Sequence, residues 1–281
     1  MSRTASFTGK QKRFYEIGDG SAGYAVADLH YAAAKEQGFQ MTYVPEKVDR
    51  ADLAATYRSL CGDAAGFVIT SPYKADVLML LDVIDDDARS VGACNVIGCE
   101  AERFKGYNTD WLAVKNVLKK RNTRPVQNRA LVVGTGAAAR ASLYALWRLG
   151  FSRMTMAGRN QASSLAIVRG LGFVMGVDAS AIPYPDAMGS LDLGSFDVLI
   201  NATPLGTKEG EDPIMGASLP QKLTVVDLAL PSKEAALVRR ATESGCITVP
   251  GGEVAAEQAR LDIEAWTGSH SNNPRTTSPF S

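Results

Sequence analysis

Short apolar runs alternate with helical stretches through the second half of the chain. Residues 130–133 are continuously apolar and are followed by a helical pattern that extends to about Gly150. Further apolar runs at 154–157, 197–201 and 224–228 are separated by segments long enough for helices. Strands that alternate with helices form right-handed crossover units and a parallel sheet. The pattern therefore predicts a doubly wound α/β lobe.

The first third has the same alternation with shorter elements, so the predicted fold class is α/β with two lobes. The predicted helices are residues 25–37, 52–60 and 74–82, and the predicted strands are 41–44, 66–70 and 94–97. After residues 246–249, a Pro-Gly-Gly turn leads into a final predicted helix at 253–266. Residues 268–281 contain few side chains that could pack, so we expect a disordered tail there.

The composition excludes several classes of partner. The chain has 281 residues, of which 46% are hydrophobic, and it has 30 basic and 30 acidic residues. With no net field to attract nucleic acid or an anionic membrane, we expect a small-molecule partner. Four scattered cysteines and two histidines predict neither a disulfide framework nor a metal site. No apolar stretch reaches signal-peptide or membrane-spanning length, which predicts a cytoplasmic protein.

A glycine-containing loop directly follows the apolar run 130–133. Residues 134–139 are GTGAAA, the G-x-G-x-x-A form, and they open the next helix. The first glycine permits a tight turn, the second lets a pyrophosphate approach the backbone, and the alanine allows close helix packing. The loop therefore predicts a Rossmann-type dinucleotide site. Its predicted cofactor-binding residues are Gly134, Thr135, Gly136, Ala137 and Ala138.

The end of the second strand of this lobe distinguishes between cofactors. An NAD site usually has an acidic residue about 20 residues after the loop, where it binds the ribose 2′-hydroxyl. This chain has Arg159 and Asn160 there instead, with no acid nearby. A guanidinium suits a 2′-phosphate, and an amide could add a hydrogen bond. The predicted cofactor is NADP, bound in part by these two residues.

Six separated segments carry motifs in an order that occurs together in one enzyme family. They are ITSPYK at 69–74, GACNVI at 92–97, GYNTD at 106–110, GTGAAARA at 134–141, NATPLG at 201–206 and the segment 251–258. They resemble V-T-x-P-h-K, G-A-x-N-T-I, G-x-N-T-D, G-A-G-G-A-A-R-A, N-A-T-P-x-G and G-x-x-M-L-x-x-Q of the shikimate dehydrogenase family. The resemblance spans roughly residues 18–260, and Arg159 falls on the arginine of the family's N-R-T segment. Val254 and Ala255 stand where the family has Met-Leu.

The resemblance implies roles for particular residues. Lys74 and Asp110 fall on the family's catalytic lysine and aspartate. Hydride transfer at a carbinol carbon requires the hydroxyl proton to leave, and a lysine with an aspartate can handle that proton. The other implied substrate residues are Thr70, Asn95 and Gln258, and the other implied cofactor residues are Thr203, Pro204 and Gly251.

The chain departs from the family where the substrate carboxylate should bind. The two serines of the family's S-x-S-P-x-x-H-N segment become Tyr24 and Val26, and its histidine is retained as His30. Losing two hydrogen bonds to a charged group would cost about 3–6 kcal/mol. The family's D-x-x-Y-x-P tyrosine also has no counterpart after Asp227. We therefore expect Tyr24 and Val26 to line a rebuilt, more apolar substrate pocket, with His30 ordering the first helix.

These patterns together predict an NADP-dependent dehydrogenase or reductase that acts on a small cyclic hydroxy or oxo compound other than shikimate. Two alternatives stay open: a genuine shikimate or quinate dehydrogenase, and a non-catalytic regulatory protein that binds NADP and a metabolite. The predicted substrate lobe is residues 1–113, completed by a C-terminal helix at about 250–267, and the predicted NADP lobe is 114–249. A monomer or a homodimer is expected.

Overall fold

The computed structural model describes residues 12–20, 24–100, 103–208, 210–230 and 235–268. The predicted disordered tail lies outside the described residues, apart from a turn at Gly268. The chain divides into two compact units. The first contains the residues up to Ile84, Cys94–Tyr107 and the residues from Ala259 onward, and the second contains Asp85–Ala93 and Asn108–Gln258.

This division differs from the boundaries expected from the sequence, because residues 85–93 and 108–113 group with the second unit. The C-terminal helix is also divided, with its residues up to Gln258 in the second unit and the rest in the first. The assignment of the first unit to the substrate and the second to NADP stays a prediction.

The first unit is built on a six-stranded mixed sheet with the order β2-β1-β3-β5-β6-β4. Its strands are β1 (Arg13–Gly18), β2 (Thr42–Lys47), β3 (Ala64–Ile69), β4 (Val83–Ile84), β5 (Val96–Glu100) and β6 (Arg103–Tyr107). Its complete helices are α1 (Tyr24–Glu36) and α2 (Leu53–Leu60). β1 is parallel to both β2 and β3, whereas β5 is antiparallel to β3 and β6.

Both faces of β1 are covered, so its side chains enter two separate cores. Phe14 packs on one face against Trp266, with ring centroids 4.1 Å apart. Tyr15 packs on the other face with Phe67 and Ile69. The indole N–H of Trp266 donates to the Ile97 carbonyl at 3.1 Å. The last helix of the chain therefore closes one core of the first unit.

The second unit is built on a six-stranded, wholly parallel sheet with the order β12-β11-β10-β7-β8-β9. Its strands are β7 (Arg129–Val133), β8 (Arg153–Gly158), β9 (Asp178–Pro183), β10 (Val198–Asn201), β11 (Thr224–Asp227) and β12 (Ile247–Pro250). Its helices are α3 (Asp86–Val91), α4 (Asp110–Lys120), α5 (Ala137–Arg148), α6 (Gln161–Met175) and α7 (Ala236–Glu243), and α8 (Gly251–Thr267) begins in it. This is the doubly wound Rossmann-type architecture that the sequence predicts.

One predicted helix of the first unit is largely wrong. Residues 74–82 form a turn and then a short 3₁₀ helix, Asp76–Leu80, before the chain becomes extended at Leu81. Only Val77 of this 3₁₀ helix is buried, so no apolar face drives a longer α-helix. Within the part of the chain that the structure describes, no helix is long and apolar enough to span a bilayer.

Candidate functional site

The turn after β3 carries two of the predicted site residues, Thr70 and Lys74. The Thr70 N–H donates to the Ile17 carbonyl at 3.0 Å, which continues the pairing of β3 with β1 beyond the strand end. The Tyr73 hydroxyl donates to the Val48 carbonyl at 2.6 Å, and Tyr73 is buried. Backbone pairing and a buried anchor therefore fix the position of the turn.

Asn95 is brought to the same edge of the first sheet, immediately before β5. Its carbonyl accepts the Ile69 N–H at 2.8 Å, and the next residue back, Cys94, donates its N–H to the Lys74 carbonyl at 2.7 Å. Asn95 is fully buried. The fold of the first unit thus places Thr70, Lys74 and Asn95 together, as the motifs imply.

Helix α1 carries the residues that replace the family's serines. Tyr24 begins the helix, and its side chain lies outside the described residues. Val26 is half-buried and packs against the core, so it contributes an apolar surface and no side-chain hydrogen bond. His30 Nδ1 lies 2.7 Å from the Val26 carbonyl, and Nε2 lies 3.0 Å from Asp262 Oδ2. Both ring nitrogens of His30 therefore have structural partners in the first unit.

A buried acid on β1, Glu16, is not among the predicted site residues. The Tyr43 hydroxyl donates to Glu16 Oε2 at 2.9 Å. Burial raises the pKa of Glu16, while the Tyr43 hydrogen bond, the charge of His30 and the Thr70 hydroxyl act in the opposite direction. A polar residue in an apolar strand run was the only sequence signal for it. Its carboxyl belongs to the same polar group as Thr70.

The glycine loop of the second unit has the room that a pyrophosphate needs. Gly134 has φ +120°, and a Cβ there would lie 2.8 Å from the Ala202 carbonyl oxygen, so only glycine fits. Gly136 caps the N-terminus of α5, and a Cβ there would meet no atom within 4 Å. Open space beside the free N–H groups of a helix N-terminus suits a phosphate group. The residues 134–138 therefore fit the predicted dinucleotide.

Arg159 and Asn160 directly follow β8, as predicted, and both are exposed. The Asn160 side chain accepts the Ser163 N–H at 3.0 Å and so caps α6. A Cβ on the preceding Gly158 would lie 2.5 Å from Thr135 Cγ2. The close approach of these residues places Arg159 next to the glycine loop, where a guanidinium could contact the adenosine side of a dinucleotide.

A hydrogen-bond network holds the loop after β10, which contains Thr203 and Pro204. The Asn201 amide donates to the Leu205 carbonyl at 2.9 Å and to Asp227 Oδ1 at 2.8 Å. Asn201 Oδ1 accepts both the N–H and the hydroxyl of Thr203, at 3.1 and 2.7 Å. Asn201 is fully buried. The motif asparagine therefore shapes the loop from within, and it was not among the predicted site residues.

Asp227, at the end of β11, has one satisfied and one unsatisfied carboxyl oxygen. Oδ1 accepts from Asn201 and from the Ala229 N–H at 3.0 Å. Oδ2 is buried and has no hydrogen-bond partner among the described residues. Burial raises the pKa of Asp227, and the two hydrogen bonds to Oδ1 only partly oppose this. Ionisation of this carboxyl therefore destabilises the folded state.

We expect the substitution Asp227→Asn to stabilise the protein at neutral pH by about 1 kcal/mol. The amide oxygen keeps both bonds at Oδ1, and the charge is removed. Because the pKa of Asp227 is raised in the folded state, the carboxyl favours folding at acidic pH, and this stability is lost as the pH rises through the folded-state pKa. The gain, measured as the shift in the urea midpoint, should shrink towards pH 4.

Asp197 supplies a matched control with the opposite sign. Its Oδ1 accepts the Gln127 N–H at 2.9 Å, and its Oδ2 accepts the Arg129 N–H at 3.3 Å. Asp197→Asn would turn an amide nitrogen towards one of these donors, so it should destabilise the protein. Equal shifts for the two variants would contradict the assignment of the unsatisfied oxygen in Asp227.

Three further predicted site residues lie in the second unit. Asp110 is the first residue of α4, is 8% exposed, and follows Asn108, whose side chain accepts the Trp111 N–H at 3.2 Å. Gly251 begins α8, and a Cβ there would lie 2.3 Å from the Ala229 carbonyl oxygen. Gln258 is half-buried on α8. Lys74 and Asp110 thus belong to different compact units.

Comparisons with known proteins give one consistent family. Residues 26–97 match the model of the shikimate dehydrogenase substrate binding domain. The chain is 31% identical over 252 residues, 90% of both chains, to a shikimate dehydrogenase (NADP⁺) of Aeropyrum pernix. A crystal structure of a shikimate dehydrogenase in complex with NADP⁺ has a TM-score of 0.81 at 26% identity, covering 95% of this chain and 94% of that chain.

A solved structure with a different named substrate is equally similar in fold. The ligand-free 5-ketofructose reductase of Gluconobacter sp. strain CHM43 has a TM-score of 0.81 at 26% identity, covering 92% of this chain and 94% of that chain. The shared fold therefore accompanies more than one substrate among these proteins.

Proposed function

Because this chain belongs to the shikimate dehydrogenase family, we propose that it is an NADP-dependent dehydrogenase that interconverts a ring hydroxyl and a ketone of shikimate or quinate. The observation that supports this most is sequence identity of 31% along 90% of the chain with a shikimate dehydrogenase (NADP⁺). The expectation of a substrate other than shikimate is not supported by the comparisons, which favour shikimate itself.

The family resemblance implies a role for each site residue, and the chemistry of the side chains supports these roles. NADP, when bound, supplies the hydride acceptor or donor. Lys74, at the turn after β3, would bind the reacting oxygen of the substrate: as a neutral amine it would accept the hydroxyl proton during oxidation, and as an ammonium it would return a proton during reduction. Asp110 would supply the second acid–base group. Thr70 and Asn95 would bind neighbouring substrate hydroxyls. The loop 134–138 would hold the pyrophosphate on the N-terminus of α5, and Thr203 and Gly251 would border the nicotinamide.

A second candidate is an uncharged polyhydroxy ketone or alcohol. Val26 offers no hydrogen bond where the family has a serine, and Glu16 adds a buried carboxyl in the same polar group as Thr70. An ionised Glu16 would oppose the binding of a second negative charge. The similarity to a 5-ketofructose reductase supports a neutral substrate in this fold.

One set of rate measurements separates these candidates. We would measure NADP⁺ reduction with shikimate and quinate, and NADPH oxidation with 5-ketofructose. Turnover of shikimate or quinate, and not of the neutral ketone, is the expected result. Turnover of 5-ketofructose alone would favour the second candidate. A protein that binds NADP and turns over neither class would contradict both proposals.

The preference for NADP over NAD should depend on Arg159. A charged hydrogen bond to a 2′-phosphate contributes about 1.5–3 kcal/mol, so Arg159→Ala should lower kcat/KM for NADP⁺ about 10- to 100-fold. The value for NAD⁺ should change little, since NAD lacks that phosphate. Arg169, exposed on α6, is the matched control, and Arg169→Ala should change neither value. An equal loss with both cofactors would contradict the role of Arg159.

A further inference from the structure

Arg140 lies one helical turn beyond the glycine loop. Its N–H donates to the Gly136 carbonyl at 3.1 Å, so it belongs to the first turn and a half of α5. Helical side chains lean towards the helix N-terminus, which here is the end that opens with the loop. The side chain is half-buried, and a Cβ on Gly92 would lie 2.9 Å from Arg140 Nη1. The guanidinium thus fills space that Gly92 leaves open.

The Arg140 guanidinium has no hydrogen bond or ion pair with any residue that the structure describes. Two other half-buried arginines of the second unit have carboxylate partners, and a third, Arg129, lies over the ring of Phe196. Arg148, two turns further along α5, pairs with Asp87 at 3.1 Å, and Arg240 pairs with Asp212 and donates to the Ala217 carbonyl. Burial lowers the pKa of Arg140, with no opposing charge. Arg140 is therefore a half-buried cation with neither a counterion nor an aromatic ring beside it among the described residues.

A half-buried cation of this kind needs an anion to offset its desolvation. The N-terminus of α5 adds its own positive end at the same place, so the local potential favours a negatively charged ligand. A guanidinium binds phosphate oxygens with two parallel hydrogen bonds, which an ammonium group does not match. The expected ligand is thus a phosphate group held at the start of α5.

We propose that Arg140 is a further cofactor-binding residue, whose guanidinium pairs with the pyrophosphate of NADP, while Arg159 pairs with the 2′-phosphate. This rests on the proposed NADP dependence and divides the recognition of the cofactor between two arginines. Gly92 contributes to this site, because its φ of +69° and its missing Cβ leave room for the Arg140 guanidinium.

The test is the binding of cofactor fragments to the full-length protein by titration calorimetry. The probes are NADP⁺, 2′,5′-ADP, which keeps the 5′-phosphate, and 2′-AMP, which lacks it. Arg140→Met should weaken NADP⁺ and 2′,5′-ADP about 10- to 100-fold and leave 2′-AMP unchanged. Arg159→Met should weaken all three probes. Arg140→Lys should fall between Arg140→Met and the unchanged protein, which keeps the test informative if the methionine variant folds poorly.

Arg148→Met is the matched control, since it removes a paired arginine from the same helix and should leave all three affinities within about twofold of the unchanged protein. Arg140 variants that bind every probe normally, or that lose 2′-AMP as strongly as NADP⁺, would overturn the proposal. A protein that binds NADP⁺ normally but loses affinity for the substrate in Arg140→Met would also overturn it. If the unchanged protein does not bind NADP⁺, the proposed NADP-dependent function itself would be contradicted.

Discussion

Replacement of Lys74 by alanine should lower kcat about 10²- to 10⁴-fold, the usual contribution of a positioned acid–base group. The loss should fall on turnover, since the turn after β3 is held by the backbone pairing of Thr70 and by the buried Tyr73 hydroxyl, neither of which involves the Lys74 side chain. The dissociation constant for NADP⁺ should stay within about twofold, because no cofactor contact is assigned to this lysine. Stopped-flow rates and calorimetric titration on one preparation measure both quantities.

Lys35 supplies the control for this experiment. It lies exposed in the last turn of α1, in the same compact unit as Lys74, and Lys35→Ala should leave kcat and the NADP⁺ affinity unchanged. A Lys74→Ala protein that keeps more than about a tenth of the activity would contradict the role of Lys74 in proton transfer. A protein that loses NADP⁺ affinity in parallel with turnover would point to a structural role instead.

Substitution of Asp262 by alanine should lower the free energy of unfolding by about 3–5 kcal/mol, the cost of breaking a buried acid–base pair on one side. Asp262 is fully buried, and its Oδ2 lies 3.0 Å from Nε2 of His30, which is 2% exposed. Nδ1 of His30 faces the Val26 carbonyl at 2.7 Å, so each ring nitrogen has one buried partner and removal of the Asp262 carboxyl leaves Nε2 without its own. Urea unfolding followed by tryptophan fluorescence measures the change.

Glu264, two residues later on the same helix, is the control for Asp262. It pairs with Arg260 one turn away near the surface, so Glu264→Ala should cost at most about 0.5 kcal/mol. Comparable losses of unfolding free energy in the two variants would show that α8 is sensitive to any substitution. The His30–Asp262 pair would then not be a particular source of stability.

The second unit was largely predictable from the sequence because its signals are local. Parallel strands buried on both faces appear as continuous apolar runs, and β7, β8, β10 and β11 each lie within about a residue or two of the predicted positions. The antiparallel strand β6 and the short helix α3 were not predicted. Their residues lack a long apolar period, and the hairpin pairing of β6 with β5 and the packing of α3 against α5 decide their conformation.

Some features of the candidate site could also be predicted from local sequence motifs, and others could not. Gly134, Arg159, Lys74 and Asn95 lie in recognisable motifs that directly precede or follow strands, so their positions in the fold could be predicted from the sequence, and their roles stay predictions. The partners of His30 and Glu16 could not be predicted, since Asp262 lies 232 residues away and Tyr43 27 residues away along the chain. A lone charged residue in a sequence carries no sign of a distant buried partner, so such networks become visible only in three dimensions.

Because the first unit depends on Trp266, its folding cannot be completed until the last helix has been synthesised on the ribosome. Trp266 stacks on Phe14 and occupies the space above Gly66, where a Cβ would lie 2.6 Å from its indole nitrogen. A nascent chain halted before Ala259 contains every described residue of the second unit, yet it lacks the indole that covers β1 and β3. The strands translated first therefore wait longest for the completion of their core, because the indole that covers them lies in the last helix of the described chain.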